Sequence, residues 1–465
     1  MKINIASNEV IHFIGIGGIG MSGLAQIMCN MGFTIQGSDL NKNKNTERLI
    51  KKGITVYFGH NQKNVKQATM IVISSAIKKN NEELIASKKK KLPIFKRGDM
   101  LANIVALKKN IVVTGSHGKT TTTSLLANIL VEAGLDPTVI NGGVINSLKN
   151  NAQLGRGEWA VIESDESDGS FLKLPITYSI VTNLDKEHLD FYGSFDVLKK
   201  SFSTFVEKTP SFGKSLICID DKNLQLLLTT LKTRNFLTYG FSKNSNYQIV
   251  NVKKNINHSI FDLRIKLIHN KIYKIKNIKV NLIGNHNISN ATASIAVALN
   301  LGIQIKKIKK ALKKFSGIQR RFTKVFSLEK KEFYDDYAHH PTEIRAVIGS
   351  VKEVYKNRKI IIVFQPHRYS RVKFLKKEFA SSFKSCDALV LCPVYSAGEK
   401  KRYNFNQNNF SQLISKKSKV QVINIKNQRD LKNYFKKNLF DNEMIICMGA
   451  GNISNWIREI SEELK

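Results

Sequence analysis

Disulfide chemistry has little to work with in this chain. Five cysteines occur in 465 residues (Cys29, Cys218, Cys386, Cys392 and Cys447), and none forms a Cys-x-x-Cys pair. An odd count at scattered spacing argues against a disulfide framework and a thiolate zinc site, and it fits a reducing compartment. No stretch approaches the roughly 18 consecutive apolar residues of a membrane span. Glu9 and His12 stand ahead of a glycine-rich loop where a signal peptide would be apolar, so the expected location is the cytoplasm, with no membrane partner. Acidic residues are also scarce. Asp and Glu number 36 against 74 Lys and Arg, a formal charge of +38. That excludes an acidic solvating protein. The lysines are spread along the chain together with abundant Asn and Ile, as a general compositional bias would place them, and no aromatic-rich basic motif accompanies them. Nucleic acid is therefore not an expected partner, although the positive field attracts anionic substrates. No internal repeat of fixed period is evident.

Against these absences stands a hydrophobic content of 42%, enough for packed cores. The length corresponds to about three domains of roughly 150 residues. Three apolar runs lead into glycine clusters: Ile11–Ile14 before Gly15, Ile111–Val113 before Gly115, and Met444–Cys447 before Gly449. Strands alternating with helices imply an α/β architecture with parallel sheets, whose ligands bind at the carboxyl ends of the strands. Boundaries are expected near residue 107, after a lysine-rich stretch, and near 317, where a helical pattern ends at Gly317. This divides the chain into segments 1–107, 108–317 and 318–465. Lys306–Lys314 holds six lysines interleaved with Ile308 and Leu312, and reads as one amphipathic helix with a solvated basic face.

Gly15-Ile16-Gly17-Gly18-Ile19-Gly20 matches G-x-G-x-x-G after a strand. Such glycines let the backbone turn tightly against a pyrophosphate at a helix N-terminus. Asp39, 19 residues beyond Gly20, occupies the place of a ribose-binding acid. The motif does not distinguish a nicotinamide cofactor from a nucleotide sugar. The second loop, Thr114-Gly115-Ser116-His117-Gly118-Lys119-Thr120-Thr121, is two residues shorter than the usual G-x-x-x-x-G-K-S/T. Its physics is unchanged: inward N–H groups, a lysine charge for the β/γ-phosphates and a threonine hydroxyl for Mg²⁺. A nicotinamide oxidoreductase built on the first loop would leave Lys119-Thr120 unused.

Carboxylates follow at the next strand ends. Trp159–Ile162 runs into Glu163-Ser164-Asp165-Glu166-Ser167-Asp168, and Tyr178–Thr182 into Asn183-Leu184-Asp185-Lys186-Glu187-His188. Oxygen donors at adjacent strand ends suit Mg²⁺, with His188 a further candidate ligand. Gly284–Asn290 opens a small-residue helix, where Asn and His side chains can hydrogen-bond a purine edge or, as the spacing favours, Asn287 or Ser289 would serve as a cap. In the last third, Asp335-Asp336-Tyr337-Ala338-His339-His340-Pro341 suits either metal or acid–base work, or a capped loop entering a helix at Pro341. Gln365-Pro366-His367-Arg368-Tyr369-Ser370-Arg371 places two arginines beyond a strand, able to grip carboxylate or phosphate.

Taken together, IHFIGIGGIGMSGLA (11–25), TGSHGKTTTT (114–123), ESDESDGSF (163–171), TNLDKEH (182–188), GNHNISNA (284–291), DDYAHHPTE (335–343) and QPHRYSR (365–371) resemble the Mur ligases, ATP-dependent amide-bond ligases of peptidoglycan synthesis, over essentially the whole chain. The resemblance implies three domains: a Rossmann-like N-terminal domain for the UDP-sugar, a central P-loop-type ATPase domain with a mixed or parallel sheet, and a Rossmann-like C-terminal domain that closes over the site. It implies ATP and Mg²⁺ as requirements and UDP-N-acetylmuramate with L-alanine as substrates, and it sets no oligomeric state. A tripeptide-attaching recycling relative is the alternative, disfavoured by the first loop. By match to the family, Gly15, Gly17, Gly18, Ile19, Gly20, Asp39, Ser75, His367 and Arg371 would serve the UDP-sugar. Gly115, Ser116, His117, Gly118, Lys119, Thr120, Thr121, His286, Asn290, Arg320 and Asp336 would serve ATP. Thr120, Glu163 and His188 would handle Mg²⁺, and Lys119, Glu163, His188, His339 and Arg368 would form the catalytic set.

Overall fold

Short, β-branched apolar runs make the strands, and the glycines after them release the chain into helices. The computed structural model describes residues 9–148, 150–266, 272–399 and 405–464. Val10–Ile14 (β1), Thr34–Asp39 (β2), Thr55–Phe58 (β3), Met70–Ile73 (β4) and Ile94–Lys96 (β5) form a first sheet in the order β3-β2-β1-β4-β5, parallel throughout. Lys109–Thr114 (β6), Thr138–Ile145 (β7), Asn150–Gln153 (β8), Trp159–Glu163 (β9), Tyr178–Val181 (β10), Ser215–Cys218 (β11), Phe236–Gly240 (β12), Tyr247–Lys254 (β13), Ser259–Lys266 (β14) and Ile272–Val280 (β15) form the second. Its order is β15-β14-β13-β12-β11-β10-β6-β9-β7-β8. From β13 to β7 the pairings are parallel, and β7–β8 is antiparallel. The third sheet comprises Thr323–Leu328 (β16), Lys331–Asp336 (β17), Lys359–Phe364 (β18), Ala388–Leu391 (β19), Gln421–Asn424 (β20) and Glu443–Met448 (β21). Its order is β16-β17-β21-β18-β19-β20, parallel apart from the β16–β17 hairpin. The expected α/β architecture is thus realised.

The chain divides into two compact units. One comprises Met1–Val252, Ile260–Val280 and Ser289–Ser316; the other comprises Lys253–Ser259, Asn281–Ile288 and Gly317–Lys465. The first unit holds the first sheet and most of the second together, because the helix Ile19–Asn30 packs on β2 and also on β7 and β8. Gly23 permits that approach: a Cβ there would lie 2.9 Å from Asn151 Nδ2 and 3.0 Å from Ala152 Cβ. Asn151 Nδ2 donates to Ile19 O at 2.9 Å, and Asn150 Nδ2 to Gln26 Oε1 at 2.6 Å. The second unit buries aromatic rings around Phe364, Phe379, Phe383 and Phe410 on one face of its sheet. The lysine-rich helix Ile305–Lys314 buries Ile308, Ala311 and Leu312, and Lys310 and Lys314 pair with Glu132. All five cysteines are free thiols. Among the described residues, no helix is long and apolar enough to cross a membrane.

Candidate active site

In the first sheet, the glycine loop leaves β1 between the ends of its neighbours β2 and β4. Gly15 and Ile16 donate their N–H groups to Ser38 O at 2.8 and 2.9 Å, and Gly17 N–H donates to Asp39 Oδ2 at 2.8 Å. A Cβ on Gly17 would lie 2.8 Å from that carboxylate oxygen and 2.7 Å from Asn43 Nδ2. Asp39, at the strand-end position of a ribose-binding acid, also braces the loop itself. Gly18 caps the helix Ile19–Asn30 without a side-chain hydrogen bond, and Gly18 and Ile19 are exposed. An exposed helix N-terminus of this kind suits an anion. Ser75 sits exposed in the turn after β4. The pattern did not single out Arg97, yet a Cβ on Gly20 would lie 3.4 Å from its Nη1, which sets a cation beside the loop. Only its position at the start of the helix after β5 could have signalled it.

The second loop leaves β6, the strand between β10 and β9, so three carboxyl ends lie side by side. Gly115 (φ +131°) and Gly118 (φ +81°) adopt backbone conformations that L side chains resist, and a Cβ on Gly118 would fall 2.6 Å from Asn290 Oδ1. Asn290 is thereby set against the phosphate loop. The segment after β10 clamps the turn from the other side. His117 N–H donates to Asn183 Oδ1 at 2.7 Å, Asn183 Nδ2 and Thr182 Oγ1 donate back to His117 O at 2.9 and 2.6 Å, and Asp185 N–H donates to Ser116 Oγ at 2.8 Å. Thr120 and Thr121 are buried at the start of the helix Lys119–Glu132.

Lys119 Nζ donates to Gly115 O at 2.6 Å and to Glu166 Oε2 at 2.9 Å. Burial works against its charge, but the carboxylates of Glu166, Asp165 and Glu163 hold its pKa above the usual lysine range. Thr120 Oγ1 donates to Glu163 Oε1 at 3.0 Å, and Gly142 N–H of β7 donates to Glu163 Oε2 at 2.6 Å. His188, in left-handed backbone at φ +55°, brings Nε2 to 3.7 Å from Glu166 Oε1. The ligand atoms of Asp165, Glu166 and His188 all lie within 4.8 Å of one another. The expected set Thr120–Glu163–His188 is thus distributed over two groupings, Thr120 with Glu163 and His188 with Asp165 and Glu166. Oxygen-rich groupings of this kind fit Mg²⁺. Glu166 was legible only as one of several carboxylates after β9.

In the second unit, the ends of β17, β21 and β18 adjoin in the same way. Asp336 is buried and accepts N–H groups from Phe322 and Ala338, both at 2.7 Å. Burial raises its pKa to about 6 against the pull of Arg321. Arg320 Nη2 donates to Gly449 O at 2.7 Å, and its guanidinium lies 4.7 Å from the Tyr337 ring centroid. The rings of His339 and His367 are 5.8 Å apart, and Arg371 Nη1 lies 3.2 Å from His367 Nδ1. Burial lowers the pKa of His339 to about 3. Burial, with Arg371 and Arg368 adding to it, lowers that of His367 to about 4. Arg368 is exposed with φ +68°, a strained backbone of the sort found at functional turns. His340 caps the helix Pro341–Val354 in a reciprocal box with Glu343, so the cap expected at Pro341 is present. The helix expected to be capped at Asn287 or Ser289 begins earlier, spanning Asn285–Asn300, and His286 is exposed in its first turn.

A strand-end loop of phosphate-loop form, clustered carboxylates and a separate glycine turn at a helix N-terminus make the arrangement of a nucleotide-dependent enzyme. The comparisons agree in all three segments. Residues 10–109 match the Mur ligase family catalytic domain, 113–298 the Mur ligase middle domain, and 320–451 the Mur ligase glutamate ligase domain. The chain belongs to the Mur ligase family. Within it, the chain is 56% identical to the UDP-N-acetylmuramate–L-alanine ligase of Pelagibacter ubique, over 99% of this chain and 100% of that one. It is 43% identical to the enzyme of the same name from Agrobacterium fabrum, over 98% and 97%. Its fold matches the solved UDP-N-acetylmuramate–alanine ligase of Thermotoga maritima with a TM-score of 0.83 at 28% identity, covering 97% of this chain and 98% of that one. A murein peptide ligase from Psychrobacter arcticus shares the fold at TM-score 0.74 and 22% identity, covering 98% of each chain.

Proposed function

We propose that this chain joins L-alanine to the lactyl carboxylate of UDP-N-acetylmuramate at the expense of ATP, in the cytoplasm, as a step of peptidoglycan synthesis on which cell shape and division depend. What carries the reading is the convergence of Lys119, Thr120 and the carboxylates after β9 at neighbouring strand ends, in the same compact unit as the first glycine loop. The identities of 56% and 43% to enzymes named for L-alanine favour this substrate over the tripeptide of the recycling alternative. We take domain boundaries near residues 107 and 317, an assignment supported by the three sheets.

A carboxylate is a poor electrophile, so one of its oxygens must become a leaving group. The lactyl carboxylate oxygen attacks the γ-phosphorus of ATP, the bond to the β-phosphate oxygen breaks, and ADP departs from an acyl phosphate. The neutral amine of L-alanine then adds to the acyl carbon, and phosphate leaves with the original carboxylate oxygen. Such chemistry is accelerated by positioning and by neutralising charge. Lys119 supplies a permanent cation for the phosphates at the N-terminus of the helix Lys119–Glu132, while Asn183 holds the Ser116 and His117 N–H groups and so shapes the loop. Mg²⁺, held by Thr120, Glu163 and His188 with Asp165 and Glu166 adjoining, would neutralise further phosphate charge. Exchange of Glu166 for phosphate oxygens as the partner of Lys119 keeps the ammonium paired in both states. Arg97 and the N–H groups at Gly18–Gly20 suit the diphosphate of the UDP-sugar. Arg368 and Arg371 suit its carboxylate or phosphates, and His339 and His367, held neutral by burial with pKa values of about 3 and about 4, are too weakly basic to deprotonate an ammonium and suit hydrogen bonding to substrate instead.

Heavy-oxygen labelling of the lactyl carboxylate tests the route. One labelled oxygen is expected in each phosphate released. Phosphate carrying no label would exclude an acyl phosphate.

A further inference from the structure

The first sheet buries a carboxylate that the reaction does not use. Glu83, in the helix Glu82–Lys89, and His12, in the middle of β1, are both fully excluded from solvent. Glu83 Oε2 accepts from Ser38 Oγ at 2.5 Å and lies 3.3 Å from both His12 Nε2 and His60 Nδ1. Its Oε1 accepts from Asn64 Nδ2 at 2.6 Å and from the Asn61 N–H at 3.3 Å. Gln36 Nε2, which also donates to Asn64 O at 2.9 Å, lies 3.2 Å from His12 Nδ1, so the hydrogen-bond pattern assigns the imidazole proton to the nitrogen facing Glu83. Burial works against the charged form, but these donors hold the carboxyl down at about 2. A buried charge satisfied on all sides adds little net stability over an apolar core, so its role is better sought in what it holds in place.

What it holds is Ser38. The carbonyl of that residue accepts the N–H groups of Gly15 and Ile16, and the next residue, Asp39, accepts that of Gly17. Three consecutive amides of the glycine loop thus hang on two residues at the end of β2, and Glu83 grips the first of them from the core side.

We propose that Glu83 is a positioning residue for the sugar nucleotide, fixing Ser38 so that the Gly15–Gly20 loop is preset to receive a diphosphate. The inference rests on the UDP-sugar reading of that loop.

The test uses the full chain. UDP-N-acetylmuramate is titrated calorimetrically into wild type, Glu83→Gln and Ser38→Ala, and KM for each nucleotide, kcat and the melting temperature are measured alongside. Glu83→Gln keeps the side-chain shape and removes the charge. It is expected to weaken UDP-N-acetylmuramate binding about tenfold, the factor carried by one charge-assisted hydrogen bond. Ser38→Ala should shift affinity in the same direction, with KM for ATP and kcat within about twofold of wild type in both variants. If Glu83→Gln does not fold, Ser38→Ala decides alone. Wild-type affinity in the folded variants, or an equal rise in both KM values, would overturn the inference while the UDP-sugar reading stands. A wild-type chain that does not bind UDP-N-acetylmuramate would remove both.

Discussion

Lys119 meets Glu166 before it meets any phosphate, and that pairing keeps its charge in a buried place. Lys119→Ala is expected to abolish L-alanine-dependent ADP release while UDP-N-acetylmuramate still binds. Normal turnover by the variant would refute the role given to the lysine. Glu163→Ala removes the partner of Thr120 and Gly142, so the Mg²⁺ concentration for half-maximal rate should rise; an unchanged Mg²⁺ titration would count against Glu163 as a ligand. In the second unit, two histidines make stability depend on pH. The folded pKa values of His339 and His367, about 3 and about 4, lie below the ordinary value of 6.5, so below pH 6.5 the unfolded chain binds more protons. Their contribution is complete above pH 6.5 and is lost as pH falls toward those values, at up to about 1.4 kcal/mol per pH unit for each. Asp336, raised to about 6, acts oppositely: its contribution is present below its ordinary 3.8 and is lost as pH rises through 6. Denaturant melts of wild type and His339→Gln between pH 4 and 7, as a range of about three units around these values, should show a shallower acid slope in the variant. Parallel profiles would contradict the assignment.

At the scale of elements, the strand–loop–helix junctions were legible because each combines a short apolar run with glycines or threonines whose backbone needs are specific. Gly118 shows why the letters matter. Alanine there combines a φ of +81° with a Cβ 2.6 Å from Asn290 Oδ1, so Gly118→Ala should cost about 1–2 kcal/mol in strain. It should raise KM for ATP while leaving UDP-N-acetylmuramate affinity intact; unchanged ATP kinetics would mean that the loop does not hold the triphosphate. Other contributions were not legible, for identifiable reasons. β8 is polar and β7 is broken at Asn141-Gly142-Gly143, so the ribbon lacks clean alternation, yet it delivers Gly142 to Glu163 and Asn151 to the sugar-loop helix. Glu83 lies in a helix dense with charge, where an exposed position is the natural expectation, and only the folded sheet reveals the donors around it. Asp39 stands at the spacing of a ribose ligand, and its carboxylate also accepts the Gly17 amide from a loop 22 residues away, a contact that spacing does not announce.

Across the whole molecule, the +38 charge is shared by every segment and needs no nucleic-acid partner to explain it. Its consequence falls on small anions: KM for ATP and for UDP-N-acetylmuramate should both rise between low and physiological ionic strength, with kcat nearly constant, because screening weakens attraction without altering the chemical step. Salt-independent KM values would show that local contacts alone capture the nucleotides. The three-segment organisation was readable from motif order. That the first two sheets form one compact unit was not, since the contact depends on Gly23 and two asparagines that carry no periodic signal. The most direct test of the account is phosphate release by the purified full chain with ATP, Mg²⁺ and UDP-N-acetylmuramate while the amino acid is varied among L-alanine, glycine, L-serine and a tripeptide. The highest kcat/KM is expected with L-alanine, with no tripeptide-dependent release. Release driven by the tripeptide in preference to L-alanine, or release indifferent to UDP-N-acetylmuramate, would contradict it.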